Sequence, residues 1–573
     1  MYMGSSVLRM KAAQQQQQQG AADSSRARTT PRLLQWQGTE PLPAIPDTNY
    51  AAFVLEIMAG HGDAVAVVEA ETGRQRTYRE VCGLVPRVSA GLAAAGVVPG
   101  DAVLFVTPTI MDYPLVLLSI VHRGATCVPV NANLSIDELV HVVRVSKASW
   151  AVVHEDSLEV AEAAFSLMPP GTLRQLWVLG DCATHRPNLT HLMTYSPEPP
   201  FTKAEGLEAS TAVAMMPFSS GTTGLPKGVM LSHRNLLYTH IRTMYERSLQ
   251  KRGRGVLGNV YKSVLVMLPV CHIYGHLMVL ITLHHGGAVV FLRKFTPRKY
   301  LQAIQDFKVT FSPLVPHLVK FLTETPLLKE YDISSVKYFH SGAAPLTAST
   351  ATSFTKKIRQ PIGGGYGMTE TSAVICTNRP SGPYNVNSVG KVAPYVQVKV
   401  VDVESGELVA EGVEGEVCVR GPNIMLGYAN DPVATAATID TDGWLHTGDI
   451  GYYDKDDFLY LTDRIKDLIK VKGYQVSPTE LENILRKNEG VDDVAVVGVP
   501  HEKMGEAPRA YVVPRPGSAV RPHHLQQFLA ERVAHYKRLA GGVKLVASIP
   551  RNSTGKVLRR QLVEGLSTPA AKL

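Results

Sequence analysis

A chain of 573 residues with 45% hydrophobic content is too long for one ordinary core and long enough for at least two packed units. Its formal charge of +8 is modest for that length, and the lysines and arginines are scattered rather than massed beside aromatics, which argues against a nucleic-acid-binding protein. Six cysteines, Cys82, Cys127, Cys182, Cys271, Cys376 and Cys418, show neither metal-ligand spacing nor a Cys-x-x-Cys pair and read as buried thiols in a reducing compartment.

In chain order, residues 1–40 carry six glutamines, Gln14 to Gln19, then Ser, Arg and Thr without apolar periodicity. They are predicted to be a disordered leader, with a transit peptide as the other reading of their basic, acid-poor character. From Thr77 onward helical and strand patterns alternate. Ala102–Val106 is a predicted strand, Ile110–Val121 a buried helix, Thr126–Val130 a strand, Ser135–Val145 a helix opened by a Ser135/Glu138 capping box, and Trp150–Val153 a strand. Such alternation predicts parallel sheets covered by helices on both faces, with ligands at the strand C-terminal ends. Val264–Leu292 is apolar enough to suggest a membrane span, but Pro269, four histidines and the Gly286-Gly287 pair divide it into strand, turn, helix and strand.

Beyond residue 390 short strands with turns predict a barrel-like β part, and a second change of texture near Asp463 opens a small α+β unit. Ser477-Pro478-Thr479-Glu480 reads there as a capping box with proline at the first helical position. The predicted fold is therefore α/β. A large N-terminal domain of doubly wound parallel sheets covers residues 41–462, with the barrel-like part from about 390, and a small C-terminal α+β domain covers 463–573.

The most distinctive stretch is Ser219-Ser220-Gly221-Thr222-Thr223-Gly224-Leu225-Pro226-Lys227-Gly228. It follows the apolar run 212–218 and precedes Ser232, a predicted N-cap, so it reads as a loop between a strand and a helix. Four hydroxyls, three glycines and one lysine suit phosphate oxygens. A Walker A loop is excluded, because Lys227 follows Pro226 and precedes Gly228. Elsewhere, Gly363–Glu370 combines a flexible backbone with the aromatic face of Tyr366, suited to stacking a purine, and with Glu370, an oxygen ligand for magnesium. Trp444–Asp449 places a carboxylate on a predicted tight turn, Asp463–Gly473 is a basic junction, and Asn552–Lys556 sets a lysine on a glycine turn.

This set, in this order, resembles the adenylate-forming acyl-CoA synthetase superfamily, and most closely the plant 4-coumarate–CoA ligase family. The blocks that carry the resemblance are SSGTTGLPKGVMLSH (219–233), SGAAPL (341–346), YGMTE (366–370), GEVCVRG (415–421), GWLHTGDIGY (443–452), DRIKDLIKVKGYQVSPTELE (463–482) and STGK (553–556). The resemblance implies two steps: a carboxylate attacks the α-phosphate of ATP to give acyl-AMP and pyrophosphate, and the thiol of coenzyme A then displaces AMP.

By the same match Ser219, Ser220, Gly221, Thr222, Thr223 and Lys227 would hold the pyrophosphate portion of ATP. Gly364, Gly365 and Thr369 would line the adenylate, and Glu370 would hold Mg2+. Asp449 and Arg464 would grip the ribose, Lys466 would touch the adenylate, and Lys556 would contact the ATP phosphates and the substrate carboxylate. Lys227, Thr369, Glu370 and Lys556 are thus the implied catalytic set. His272, Tyr274, Ala343, Gly365 and Lys470 would face the acyl group or its adenylate, and Lys294, Lys472 and Gly473 would serve coenzyme A. In the family the C-terminal domain is mobile and rotates about a hinge near Asp463–Lys466 between the two steps, so that Lys556 serves adenylation and the face with Lys470 and Lys472 serves the thioester step.

The acyl pocket departs from the coumarate-ligase pattern. Gly364 stands where those ligases usually carry glutamine, and Thr371-Ser372 and Gly275-His276-Leu277-Met278 also differ. With the Ala-Lys-Leu terminus the chain resembles the peroxisomal branch of coumarate-ligase-like proteins, which implies as substrate a hydroxycinnamate, a fatty acid or a jasmonate-precursor-type acid. An adenylation module loading a carrier protein in trans, and an inactive adenylate-binding relative, are the alternatives. The terminal Ala571-Lys572-Leu573 resembles a Ser-Lys-Leu peroxisomal address, which would make an import receptor a partner and the peroxisome, rather than the cytoplasm, the destination.

Overall fold

Two helices set the architecture. Tyr113–His122 is buried at every position, and Ile273–His284 at every position except Tyr274. A helix that is apolar all round belongs between layers rather than on a surface, and both lie in one core cluster with residues of two large sheets, Val103 and Phe105 of one and Val264, Val289 and Phe291 of the other. The computed structural model describes residues 30–38, 40–181, 185–219, 225–252, 260–378, 384–472, 474–551 and 555–564.

The first sheet has a parallel centre, Ala102–Thr107 between Thr126–Asn131 and Trp150–His154, with Gln175–Leu179 beyond the latter. On its other side Val213–Met215 pairs in parallel with Thr126–Asn131, then Lys227–Ser232 and Gly427–Tyr428 follow antiparallel. The second sheet runs parallel from Ile362–Tyr366 through Tyr338–Ser341, Phe311–Leu314, Ser263–Val266 and Ala288–Phe291 to Val65–Glu69, with antiparallel strands at both edges. The predicted alternation is thus realised as two sheets, and the Ser135/Glu138 capping box opens helix Ile136–Ser146 as expected. Val264–Leu292 divides into the strand, helix and strand expected of it. Among the described residues no helix is long and apolar enough to cross a membrane.

The β part beyond residue 390 is an antiparallel sheet in the order Leu34–Gln35, Gln397–Val401, Gly415–Arg420, Leu445–Tyr453 and Leu459–Arg464. Its first strand corrects the extent of the predicted leader. Leu34 pairs with Val398 and is buried, and Arg32 bonds Asp457 at 2.8 Å, so residues 30–38 belong to the fold. A two-residue strand with one buried leucine is too short a pattern to register as periodicity. Residues 1–29 and 39 of the predicted leader lie outside the described residues.

The C-terminal unit carries the sheet Tyr474–Val476, Ile469–Val471, Gly505–Pro514 and Val491–His501, with Val543–Leu545 paired to Gly505–Pro514. Asp463 ties the junction to this unit: its Oδ2 accepts from the Ser477 hydroxyl and the Thr479 amide, at the start of helix Pro478–Leu485. Half of the predicted capping box forms, with Ser477 accepting from the Glu480 amide; the Glu480 carboxylate turns instead to Lys537 Nζ at 2.7 Å. Against the large domain, Lys320 meets Asp492 at 2.7 Å, and a Cβ on Gly555 would stand 3.0 Å from His317 Nδ1. Both His317 and Lys320 lie on helix Pro316–Glu324, which follows strand Phe311–Leu314 directly.

Candidate active site

Three parallel strands end together at one edge of the second sheet. Their register sets Leu314 beside Ser341 and Ser341 beside Gly364, so Ala343, Gly364 and Gly365 gather just where open α/β sheets receive ligands. The glycines there are not equivalent. A Cβ on Gly363 would fall 1.9 Å from the Tyr338 hydroxyl, so that position is closed by packing. At Gly364 the nearest described atom is the Ser341 carbonyl oxygen at 3.2 Å, so the missing side chain leaves space. Tyr274 closes one wall. Its hydroxyl lies 2.8 Å from His340 Nδ1, and its ring would be 3.0 Å from a Cβ on Gly342. His272 is half-buried at the start of the helix that carries Tyr274, and burial lowers its pKa and keeps it neutral.

A second group forms where the antiparallel sheet meets this edge. Asp449 faces Arg464 in register across two strands, and Arg464 Nε reaches Asp449 Oδ1 at 2.6 Å. The other carboxylate oxygen accepts the Tyr366 hydroxyl, also at 2.6 Å. Asp449 therefore sits inside strand Leu445–Tyr453, not on the predicted turn. Each of its oxygens accepts one bond here, and since an ionised carboxylate offers about four lone-pair directions, capacity remains for two hydroxyl donors. Tyr366, expected as a purine platform, is 8% exposed and its hydroxyl is committed to Asp449. Burial opposes the Arg464 charge, but Asp449 and its neighbours outweigh it and raise the guanidinium pKa.

Lys556 joins this group from the far end of the chain. Burial first, then the charge of Arg464, pulls its ammonium pKa down to about 8, while Asp467 and Asp449 oppose the shift. The charges of Arg464, Asp467 and Asp449 all act on the lysine, which sets it near them, Asp449 lying across the domain junction.

The third group lies on the hairpin that carries the phosphate-type loop. Phe218–Ser219 pairs antiparallel with Lys227–Gly228, so the loop joins two strands, and strand Lys227–Ser232 then enters helix His233–Arg252 directly. This corrects the predicted strand-to-helix loop: the apolar run Val229-Met230-Leu231 lies in a strand between the loop and the helix. Ser232 does cap the helix, its Oγ accepting from the Asn235 amide at 3.1 Å. Lys227 Nζ lies 3.3 Å from Asp431 Oδ2 and 4.8 Å from the centre of the Tyr428 ring. Tyr428 in turn donates to Glu370 Oε1 at 3.0 Å, and burial and the Glu370 charge raise its phenol pKa, keeping it a donor. Glu370 is 6% exposed and Thr369 half-buried at the start of the same 3-10 turn. The Glu370 charge also supports Arg464, which links the third group to the second.

Ser220, Gly221, Thr222, Thr223 and Gly473 lie outside the described residues. Lys466, Lys470, Lys472 and Lys294 are exposed, and among the described contacts none joins them to the Asp449 group. Lys470 and Lys472 instead anchor strand Ile469–Val471 through their amides, to Glu506 and Met504. Tyr428, Asp431, His317 and His340 were not singled out from the sequence, for none sits in a glycine-rich or charged block and each contact spans a long separation along the chain.

Residues 55–429 match the AMP-binding enzyme family, and residues 480–556 match the AMP-binding enzyme C-terminal domain. The chain belongs to the AMP-binding enzyme family. Within it, a 4-coumarate–CoA ligase of Pinus taeda is 34% identical over 89% of this chain and 94% of that protein. A 4-coumarate–CoA ligase-like protein of Oryza sativa subsp. japonica is 36% identical over 91% of this chain and 94% of its own. Among solved structures, ATP-bound MatB from Rhodopseudomonas palustris superposes with a TM-score of 0.78 at 28% identity, covering 89% of this chain and 98% of that one. The C-terminal match of this AMP-binding enzyme ends on Lys556, the residue that reaches the Asp449 group.

Proposed function

We propose that the protein is an AMP-forming acid–thiol ligase working in two half-reactions. In the first, a carboxylate oxygen of the acid attacks the α-phosphorus of ATP, giving acyl-AMP and releasing pyrophosphate. In the second, the thiol of coenzyme A attacks the acyl carbonyl, loses its proton and expels AMP. The observation that carries this reading is the entry of Lys556 into the Asp449–Arg464–Tyr366 group, beside a hairpin lysine and a buried carboxylate. The first half-reaction brings two anions together, so positioned cations are what lower its barrier.

On this reading Asp449 accepts the ribose hydroxyls, Arg464 holds Asp449 in place, and Lys556 meets the phosphates and the substrate carboxylate. Lys227 holds the departing pyrophosphate with the loop hydroxyls. Glu370 fits Mg2+ by donor type, being a nearly buried carboxylate, and the ion would neutralise phosphate charge. His272, neutral through burial, shapes the acyl pocket rather than moving protons. Lys470, Lys472, Lys294 and Gly473 are assigned to the thioester step, with the C-terminal domain rotated.

The candidate acids are hydroxycinnamates, fatty acids and jasmonate-precursor-type acids, and the lack of a side chain at Gly364 favours acyl groups bulkier than one that a glutamine at this position would admit. Pyrophosphate exchange over a panel of these acids and benzoates, followed by addition of coenzyme A, tests the assignment. Exchange with at least one acid and thioester on adding the thiol are expected; no exchange across the panel overturns it. We assign Ala571-Lys572-Leu573, outside the described residues, to peroxisomal import. Punctate import of a fluorescent fusion should vanish when the tripeptide is removed, and its persistence would refute the assignment.

A further inference from the structure

On two neighbouring inner strands of the antiparallel sheet, next to the strand segment that carries Asp449, Glu416, Cys418 and His446 converge. Glu416 and Cys418 are alternate residues of strand Gly415–Arg420 and so share one face, and His446 is the cross-strand partner of Cys418. Their ligand atoms all lie within 4.8 Å of one another. His446 Nδ1 is 3.5 Å from Cys418 Sγ and 2.8 Å from Glu416 Oε2. Two tetrahedral ligands at about 2.3 Å (thiolate) and about 2.0 Å (imidazole) from a zinc ion stand about 3.5 Å apart, the separation the Cys418–His446 pair already has. The carboxylate oxygen needs to retreat by about 0.5 Å to take a third corner at the same bond lengths.

The outer ring nitrogen is also provided for. Asp440 Oδ2 lies 3.6 Å from His446 Nε2, longer than a hydrogen bond but within a small shift of the place where a carboxylate fixes the tautomer and orientation of a metal-bound imidazole. Lys399, 4.0 Å from Asp440, and Arg420, which with Lys399 stacks on Trp444, are the cations nearest by. Two carboxylates and a thiolate therefore exceed them once a divalent ion displaces the thiol proton to solvent.

We propose that Glu416, Cys418 and His446 form a binding site for a divalent ion of the zinc class, with water in the fourth position and Asp440 orienting the imidazole. A thiolate, an imidazole and a carboxylate select zinc or cobalt over magnesium or calcium. The site adjoins the nucleotide group through its own ligands: Glu416 Oε1 accepts from the Gly448 amide at 3.1 Å, and His446 stands three residues before Asp449. Occupancy would thus stiffen the segment that presents Asp449.

The test uses the full chain, stripped with a chelator and dialysed against micromolar Zn2+ or Co2+. The expected result is about one bound zinc per chain by elemental analysis, and a thiolate-to-cobalt charge-transfer band in the cobalt form. Cys418→Ser should abolish that band, and His446→Gln should lower zinc affinity at least tenfold. Wild-type protein that binds no zinc, or whose cobalt spectrum lacks the thiolate band, overturns the proposal without reference to any variant. Equal zinc binding by wild type and Cys418→Ser overturns it as well.

Discussion

On the proposed mechanism the adenylation chemistry turns on Lys556, and the surroundings of that residue would give the chemistry a pH limit. With the ammonium pKa pulled down to about 8 by burial and Arg464, the cation is lost as pH rises through that value. kcat/KM for ATP reports the free enzyme, so for pyrophosphate exchange it should fall about tenfold per pH unit above about 8. Lys556→Arg should lift that limb out of range, because a guanidinium stays charged; an unchanged limb in the variant would assign it to another group. The stability sign follows from the same shift. The unfolded chain holds this proton up to about pH 10.4, so the buried charge is unfavourable below about pH 8 and the penalty is relieved between the two values. Lys556, Asp449, Arg464 and Glu370 were legible in the sequence because each lies in a block whose chemistry has few other uses. Tyr428 and Asp431 were not, since an isolated tyrosine and an aspartate before a proline look like ordinary turn residues until the hairpin brings Lys227 to them.

At the scale of elements, the register of three parallel strands sets the positions proposed to line the acyl pocket. Gly364 lies beside Ser341, and a Cβ there would meet only the Ser341 carbonyl oxygen, at 3.2 Å, whereas one on Gly363 would fall 1.9 Å from the Tyr338 hydroxyl. Gly364→Gln should therefore fold, raise KM for bulky acids by about 10–200-fold relative to small ones, and leave KM for ATP unchanged. Parallel losses for all acids and for ATP would mean that the strand itself had shifted. The alternating strands and helices were legible here, because buried β-runs and capping boxes are local signals. The hairpin at Ser219–Lys227 and the pairing of Leu34 with Val398 were not, since antiparallel partners are chosen by contacts that local patterns do not encode. The resemblance named the pocket positions, but only the strand register distinguished the packed Gly363 from the open Gly364.

For the whole molecule, the buried layer between the two sheets carries an acid sensitivity. Burial lowers His276 to about 3 and His122, His233 and His284 to about 4, so all four are neutral in the fold. The unfolded chain takes up these protons near pH 6.5, so their neutral burial is tolerated above that value and stability falls as pH drops from about 6.5 toward 4. Each contributes a slope of up to about 1.4 kcal/mol per pH unit in that window. Urea midpoints should fall from pH 7 to pH 5, and less steeply in His284→Gln; a flat profile would contradict the neutral assignment.

The same scale joins the two domains, through Lys320 and Asp492 and through Gly555 against His317, and this arrangement sets Lys556 beside Asp449 and Arg464. If the lysine belongs to the first half-reaction alone, Lys556→Ala separates the two. Pyrophosphate exchange should fall by about 100-fold or more, the scale of one positioned electrostatic group. Thioester formation from supplied acyl-adenylate and coenzyme A should stay within a few fold of wild type. Equal loss of both half-reactions, or exchange that survives the substitution, would contradict the account.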